Sequence, residues 1–262
     1  MATSRTDSRD FDLPPAKYPD ELGSPNVRPD AKWLWHGYIA RGNVTLFTSP
    51  EKQGKTSLVN GLLQVMAEGG RFLDRPVVAA KVLVVTEEPE HTCEDRLRRM
   101  PLGRHCRFQT RPWPRRPTTR QWQQLIDREK TAQAAGQLDL MVIDPLSKFV
   151  PGAGDGVMSS LELMLDPLKS LTDAGAAVLL LHHPRLDKSE EGRSARGPGG
   201  LLATVDIIIE LKHYGSLQSD KCRRKLFAVS RFPETPENLV YEWDRKTTQF
   251  AALGDQIGRA HV

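Results

Sequence analysis

A nine-residue segment at positions 49–57 constrains this chain more than any other part of it. The segment reads SPEKQGKTS, follows the short apolar run 44–47, and opens a pattern in which Leu58, Leu62 and Val65 recur at helical spacing. A strand, a tight loop ending in Gly-Lys-Thr and a helix are the elements of a phosphate-binding P-loop. The backbone N–H groups of such a loop and the dipole of its helix converge on one concavity. The sequence therefore predicts a nucleotide site here.

The residues of this segment divide the binding of ATP and Mg²⁺ among them. Lys55 supplies a mobile charge for the outer phosphates, and the hydroxyl of Thr56 can ligate the metal. Ser49 stands where the usual pattern has its first glycine, and serine adopts a positive φ less readily than glycine. A chance Gly-Lys-Thr at a helix start is the alternative interpretation, and the flanking strand and helix argue against it. The predicted nucleotide-binding residues are Ser49, Pro50, Glu51, Lys52, Gln53, Gly54, Lys55, Thr56 and Ser57.

A second apolar run, in residues 138–145, ends in an acidic residue. It reads LDLMVIDP, and Asp144 closes it. Four apolar residues followed by Asp are common in isolation, but downstream of a P-loop they predict the strand whose terminal carboxylate completes the Mg²⁺ shell. We therefore predict Thr56 and Asp144 as the metal ligands. Asp139 lies at the beginning of this run and is not expected to bind the metal.

The order of the remaining segments predicts an α/β fold. Continuous apolar runs are typical of parallel strands buried on both faces, and they alternate here with helical patterns. The sequence therefore predicts a mostly parallel central sheet with helices on both faces and a C-terminal β meander. The predicted strands, beyond the P-loop strand and the run ending in Asp144, are Val82–Thr86, Cys106–Gln109, Ala176–Leu181, Asp206–Leu211, Arg223–Ser230, Asn238–Trp243 and Thr247–Ala252. The predicted helices after the P-loop helix are Thr92–Met100, Trp122–Gln133 and Met158–Leu171.

Composition sets the domain limits and the expected surroundings. Residues 1–30 are polar and rich in Pro, Asp and Ser, which predicts a disordered or loosely packed tail before a domain at 31–253. Residues 254–262 are interpreted as an unstructured tail. Its last six residues look like a translated adapter, in which case the natural chain continues further. Three scattered cysteines fit a reducing cytoplasm, and no apolar run reaches the length of a membrane span.

Charge and aromatic residues leave two questions open. A net charge of +4 and a pI of about 9.0 permit nucleic-acid binding without requiring it. Trp33 and Trp35, just before the P-loop strand, could stack on a base, but we favour a role in fixing the chain to the domain. The arginine-rich segment 104–120, which includes Trp113, could contact nucleic acid, but we favour a solvated edge.

The order of the motifs is similar to that of the RecA-like ATPases. The P-loop is followed by a strand ending in Glu87-Glu88, by IDPLSKF, by LLLHHPR and by ARGPGG at 195–200 before a further strand. Within the RecA-like ATPases, the chain most resembles the plasmid replicative helicases of the RepA type and their AAA-labelled relatives, and more distantly DnaB. The resemblance covers roughly residues 33–248. The chain has Pro198 where the family usually has serine.

The resemblance implies roles for further residues. A catalytic carboxylate is expected at the end of the strand after the P-loop helix, where Glu87 matches and Glu88 is the alternative. A structural role of one glutamate at a helix N-terminus is equally compatible with this position. His182 or His183 is implied as a sensor of the γ-phosphate, and a zinc site is not expected because no third ligand is suitably spaced.

The same resemblance implies a nucleic-acid partner and a neighbouring subunit. Contacts with single-stranded DNA fall on a basic loop whose charged members are Arg185, Lys188, Arg193 and Arg196. The alternative is a solvated loop, since Asp187, Glu190 and Glu191 nearly balance its charge. Arg231, and after it Lys225, match basic positions that reach a neighbour's nucleotide, which leads us to expect a homo-oligomer, most simply a hexamer.

The expected function is Mg²⁺-dependent ATP hydrolysis coupled to translocation on single-stranded DNA, or to unwinding, in the replication of a plasmid, phage or mobile element. A DNA-stimulated recombination or regulatory ATPase is one alternative. A nucleotide-gated DNA-binding module without useful turnover is the other.

Overall fold

The computed structural model describes residue 18 and residues 32–151, 157–183, 204–215 and 222–254, with the backbone alone for residues 157–162. The chain divides into two compact units, residues 1–31 and residues 32–262, and nearly all of the described residues belong to the second. Apart from Tyr18 and Gly254, the two predicted tails lie outside the described residues.

The described part contains thirteen strands and five helices. The strands are β1 (Trp33–Trp35), β2 (Ile39–Ala40), β3 (Val44–Thr48), β4 (Gly70–Phe72), β5 (Arg75–Val77), β6 (Val82–Thr86), β7 (Cys106–Thr110), β8 (Leu140–Asp144), β9 (Ala177–His182), β10 (Ile207–His213), β11 (Arg223–Ser230), β12 (Asn238–Trp243) and β13 (Phe250–Gly254). The helices are α1 (Lys55–Val65), α2 (Glu90–Arg99), α3 (Thr119–Ala134), α4 (Leu146–Phe149) and α5 (Val157–Asp173). None of the helices in the described residues is long and apolar enough to cross a membrane.

Nine of the strands form one sheet in the order β13-β12-β11-β10-β3-β9-β8-β6-β7. The pairs from β10 to β7 are parallel, whereas β10, β11, β12 and β13 pair antiparallel in sequence order. The predicted fold class, with its C-terminal meander, is confirmed. Because β3, β6, β8 and β9 run in the same direction, their carboxyl ends meet at one edge of the sheet, where α/β proteins bind ligands. This P-loop edge carries the site described below.

Alternating side chains of the parallel strands supply two separate cores. On one face, Phe47 of β3 packs in a cluster with Leu58 and Leu62 of α1. On the other face, Leu46 packs in a cluster with Trp122 of α3 and residues of α5. Strands covered on both faces must be apolar throughout, which is why their sequences read as continuous runs.

A small second sheet, in the order β2-β1-β5-β4, is absent from the predictions. Its strands have two or three residues each, too few to show a period of two. Trp33 and Trp35 belong to it and are each 2 % exposed, and Trp35 donates a hydrogen bond from Nε1 to the carbonyl of Phe72 at 3.2 Å. Both rings therefore fix the chain to the core, as we favoured.

One strand boundary differs from its prediction in an informative way. The last strand begins at Phe250 and not at Thr247. The carboxylate of Asp244 accepts hydrogen bonds from the backbone N–H of Lys246 and from the hydroxyl of Thr247, each at 2.8 Å. Such a side-chain-to-backbone bond two residues on is a turn signal, so Thr247 belongs to the hairpin turn.

Candidate ATPase site

The P-loop leaves the carboxyl end of β3 and leads directly into α1. Gly54 is the N-cap of α1 with a φ of 93°, a left-handed conformation that glycine adopts without strain. No side chain caps this helix and its first turn contains no acidic residue. The free N–H groups at such a terminus attract anions. Ser49 is not among the residues with positive φ, so serine is accommodated here without backbone strain.

Lys55 lies inside this site, at the start of α1. Its side chain is buried, and Nζ donates a hydrogen bond to the carbonyl oxygen of His182 at 2.7 Å. The Nε2 atom of His183 is 3.5 Å from the same ammonium group. Burial lowers the pKa of Lys55 to about 8, against a smaller raising effect of Asp144. The lysine therefore sits at the meeting point of the P-loop and the end of β9.

The two predicted metal ligands are brought together. The hydroxyl of Thr56 donates to Oδ2 of Asp144 at 3.4 Å, and Asp144 is 9 % exposed. Burial raises the pKa of the Asp144 carboxyl, while Lys55 nearby lowers it. A hydroxyl and a carboxylate oxygen this close suit adjacent positions around Mg²⁺, which prefers oxygen ligands and keeps several waters. No group of three or more His, Cys, Asp or Glu side chains suited to a metal occurs in the described ranges, so the remaining ligands would be phosphate oxygens and water.

The two adjacent glutamates that follow β6 have different partners. The backbone N–H of Glu87 donates to the carbonyl of Asp144 at 3.2 Å, and its carboxylate pairs with Lys148 at 2.9 Å. Glu88 accepts two hydrogen bonds from Nη2 of Arg96, at 2.7 and 2.5 Å. Glu88 and Arg96 both act on the pKa of Asp144. One carboxylate is therefore held by a half-exposed lysine and the other by an arginine beside the metal ligands.

Arg96 and Lys148 were not among the residues predicted from the sequence. Arg96 lines a small cavity together with Thr56 and Asp144. Lys148 belongs to α4, four residues after Asp144, and that short spacing is the one sequence signal that could have indicated it. Arg96 carried no such signal, because it comes from a helix rich in arginine.

The two histidines lie at the end of β9, which runs between β3 and β8, as predicted for a sensor strand. Burial, Lys55 and His183 lower the pKa of His182 to about 4, and burial and Lys55 lower that of His183. Both imidazoles are therefore neutral at pH 7. The Nδ1 atom of each is buried and has no hydrogen-bond partner among the described residues.

Comparison with known proteins agrees with this geometry. A family model described as an AAA domain matches residues 13–189, more than half of the chain. The chain belongs to this AAA-domain family. The ATPase domain of a phage replicative helicase has a similar structure, with a TM-score of 0.60, 15 % identity, and coverage of 81 % of this chain and 85 % of that one. None of the curated proteins matches.

For this AAA-domain chain, family and fold together bear out the predicted RecA-like P-loop ATPase. The family match begins at residue 13, within the segment interpreted as a tail, and ends before β10. The C-terminal meander is therefore covered by the structural similarity and not by the family model.

The remaining predicted residues lie away from the P-loop edge or outside the described part. Arg231 follows β11 at the opposite edge of the sheet, is well exposed, and pairs with Asp206 at 3.0 Å. Lys225 is half-buried within β11. The basic residues Arg185, Lys188, Arg193 and Arg196 all lie outside the described residues.

The arginine-rich segment of this AAA-domain chain does not present its tryptophan to solvent. The ring of Trp113 is half-buried and packs edge-on against Trp122 and Phe149, each at 6.4 Å between centroids. Its role in the structure is therefore packing at the border of the second core.

Proposed function

We propose that this chain is a Mg²⁺-dependent ATPase that couples hydrolysis to movement on single-stranded DNA as a homo-oligomer, in the manner of a replicative helicase. The observation that carries the proposal is the convergence of Lys55, Thr56, Asp144 and the His182–His183 pair at one edge of a RecA-like sheet. These groups come from the ends of two strands and the start of one helix. Their types match what phosphoryl transfer requires, namely cations, metal ligands and a reporter of the γ-phosphate.

Each residue has a defined task in this mechanism. Thr56 and Asp144 would hold Mg²⁺, which when bound neutralises charge on the phosphates. Lys55 exchanges its bond with the His182 carbonyl for the outer phosphate oxygens, and its charge is then stabilised by a closer anion than the carbonyl. The uncapped start of α1 holds the inner phosphates through N–H groups.

Glu87 is the preferred general base. Both carboxylate oxygens of Glu88 are engaged by Arg96, and a carboxylate held by an arginine in this way is poorly disposed to accept a proton. Glu87 is held by one contact to Lys148, and both side chains are more than a third exposed. An exposed pair of this kind is typically worth about 0–1 kcal/mol, so Glu87 can exchange it for an attacking water.

His183 is the preferred sensor. Its Nε2 atom faces the ammonium group of Lys55, whereas His182 reaches Lys55 through its backbone carbonyl. A neutral imidazole beside Lys55 can hydrogen-bond a γ-phosphate oxygen and lose that bond after hydrolysis. The basic segment that begins at Arg185 follows directly in sequence, which provides a short route from the nucleotide to DNA.

One measurement tests the function as a whole: ATP turnover with and without single-stranded DNA. Stimulation by DNA supports the proposal, and strand displacement on a forked duplex distinguishes a helicase from a DNA-stimulated regulatory ATPase. ATP binding without turnover under either condition would replace the proposal with a nucleotide-gated binding module.

Binding of single-stranded DNA is expected to depend on salt and to ignore base sequence, because the basic segment would neutralise phosphates. The logarithm of the affinity should fall with the logarithm of salt concentration, with a slope of about −0.7 per contacted phosphate. Fluorescence anisotropy with labelled oligonucleotides measures this slope. Arg193→Ala should make it shallower by about one phosphate contact, whereas Glu191→Gln in the same segment should not. A slope near zero, or strong preference for one sequence, would contradict phosphate contacts.

Arg231 is proposed to act on the nucleotide of a neighbouring subunit. Strand β11 is antiparallel to β10, so its first residues lie at the P-loop edge and Arg231 lies at the other. Seven residues of extended chain separate Arg224 from Arg231, or roughly 23 Å. Arg231 therefore cannot reach the nucleotide of its own chain, and an arginine in this position is available to a partner in a ring.

Arg231→Ala is expected to lower ATP turnover about 10³-fold without loss of nucleotide affinity, as removal of an arginine donated in trans can do. Mixing Arg231→Ala subunits with Lys55→Ala subunits should restore part of the activity, because some interfaces then pair an intact Lys55 with an intact Arg231. Asp206→Asn is the matched control, since it weakens the ion pair of Arg231 within its own chain. Full activity of Arg231→Ala alone, or an equal loss in Asp206→Asn, would remove Arg231 from the mechanism.

A further inference from the structure

Arg224, near the start of β11, is a buried cation in contact with the P-loop. It is 0 % exposed, and its side chain points into the core on the α1 side of the sheet. Nε donates to the backbone carbonyl of Gln53 at 3.0 Å, and Nη1 donates to the carbonyl of Arg223 at 2.8 Å. Nη1 also lies 3.5 Å from Nδ1 of His213 on the neighbouring strand β10. A residue from the meander is thus bonded to the loop that binds phosphate.

The environment explains why an arginine stands at this position. Burial lowers the pKa of the Arg224 guanidinium, and Tyr241 beside it on β12 raises it. Taking a charge out of water is costly unless hydrogen bonds replace the lost hydration. Arginine carries five N–H donors in a fixed planar arrangement, so it can serve several carbonyl groups at once. A shorter or non-polar side chain would leave the Gln53 carbonyl without this donor.

A second residue of the meander touches the next position of the P-loop. A Cβ atom added to Gly54 would lie 2.7 Å from Cζ3 of Trp243. The indole of Trp243 is held in place by Phe250, with the two rings nearly parallel at 3° and 6.0 Å apart. Strands β11 and β12 therefore contact two consecutive residues of the P-loop, Gln53 by a hydrogen bond and Gly54 by packing.

We propose that Arg224 is a positioning residue for the P-loop, an inference that rests on the proposed ATPase function. The C=O of Gln53 and the N–H of Gly54 belong to one planar trans peptide unit, so they point in opposite directions. Holding the carbonyl toward Arg224 turns the Gly54 N–H away from the meander and toward the phosphate concavity. The loop is then pre-organised for phosphate before nucleotide arrives, and affinity is gained because less ordering remains to be done on binding.

The proposal separates binding from chemistry. Arg224 contacts neither the metal ligands nor Glu87, so its loss should weaken nucleotide binding and leave the hydrolytic step of bound ATP largely intact. A merely structural arginine would instead affect thermal stability and leave the affinity of the folded protein unchanged. The variants suited to this distinction are Arg224→Met, which removes the charge but keeps a long side chain, and Arg224→Lys, which keeps the charge.

The test measures ADP affinity by titration calorimetry, KM and kcat for ATP, and the melting temperature of each variant. Arg224→Met is expected to raise Kd and KM at least tenfold with kcat changed by less than threefold, and Arg224→Lys is expected to be intermediate. Arg223→Ala, which removes the adjacent half-exposed arginine from the opposite face of β11, should match the wild type.

A folded Arg224→Met protein with wild-type Kd would overturn the proposal. If Arg224→Met does not fold, Arg224→Lys decides: a lower melting temperature with wild-type Kd overturns it, and a raised Kd supports it. Failure of the wild type to bind nucleotide would be a failure of the ATPase function itself, and is seen before any variant is made.

Discussion

Lys55→Ala is expected to abolish ATP turnover while the protein remains folded. The ammonium group of Lys55 is buried at the junction of the P-loop and β9, whereas Lys52, the other lysine of the loop, is exposed. A preorganised cation in a site shielded from water stabilises developing phosphate charge far more than it would in water, and loss of one such group typically costs about 10²-fold or more in rate. Steady-state phosphate release measures the effect.

The control for Lys55→Ala is the folded state of the variant. The substitution removes a buried charge whose pKa is already depressed by burial, and leaves the His182 carbonyl without one donor. An unsatisfied buried carbonyl costs about 1–3 kcal/mol, which most domains of this size tolerate. Circular dichroism and the melting temperature check this directly. Normal turnover in a folded Lys55→Ala protein would rule out a catalytic P-loop.

The sequence was sufficient for the parts of the fold that depend on short-range pattern. Strands such as β6 and β11 appear with the predicted residues, because five to eight consecutive positions carry the burial signal. The small sheet of β1, β2, β4 and β5 was missed because its strands are stabilised by the aromatic cluster around Trp35, which includes a contact with Phe72 that is distant in sequence. Tertiary packing overrides weak local preference in such short strands.

The site shows the same division between local and long-range information. Lys55, Thr56 and Asp144 were found because a P-loop and an apolar run ending in Asp are each contiguous in sequence, and the topology then brings them together. Arg96 and Arg224 were missed, since each acts through a partner brought near only by folding. A buried arginine in a strand cannot be told from an exposed one by residue type alone, and the adjacent Arg223 and Arg224 differ in burial.

Glu87→Gln is expected to slow hydrolysis by about 10²- to 10⁴-fold, the usual contribution of a general base, with little change in ATP affinity. Glutamine keeps the shape of the side chain but cannot accept a proton from the attacking water. The ion pair with Lys148 is also lost, and because both groups are more than a third exposed, its loss should cost at most about 1 kcal/mol of stability. Single-turnover hydrolysis isolates the chemical step, and binding of a fluorescent ATP analogue checks the affinity.

Glu88→Gln is the matched control for this assignment, because it makes the same chemical change in the neighbouring carboxylate. Glu88 is bound by Arg96, so its substitution frees the guanidinium beside Asp144 and should change nucleotide or metal affinity more than the chemical step. The opposite result, slow hydrolysis with normal affinity in Glu88→Gln alone, would move the base by one residue along the chain. If both variants hydrolyse ATP at the wild-type rate, neither carboxylate is the base, and the attacking water must be activated by another group at the P-loop edge.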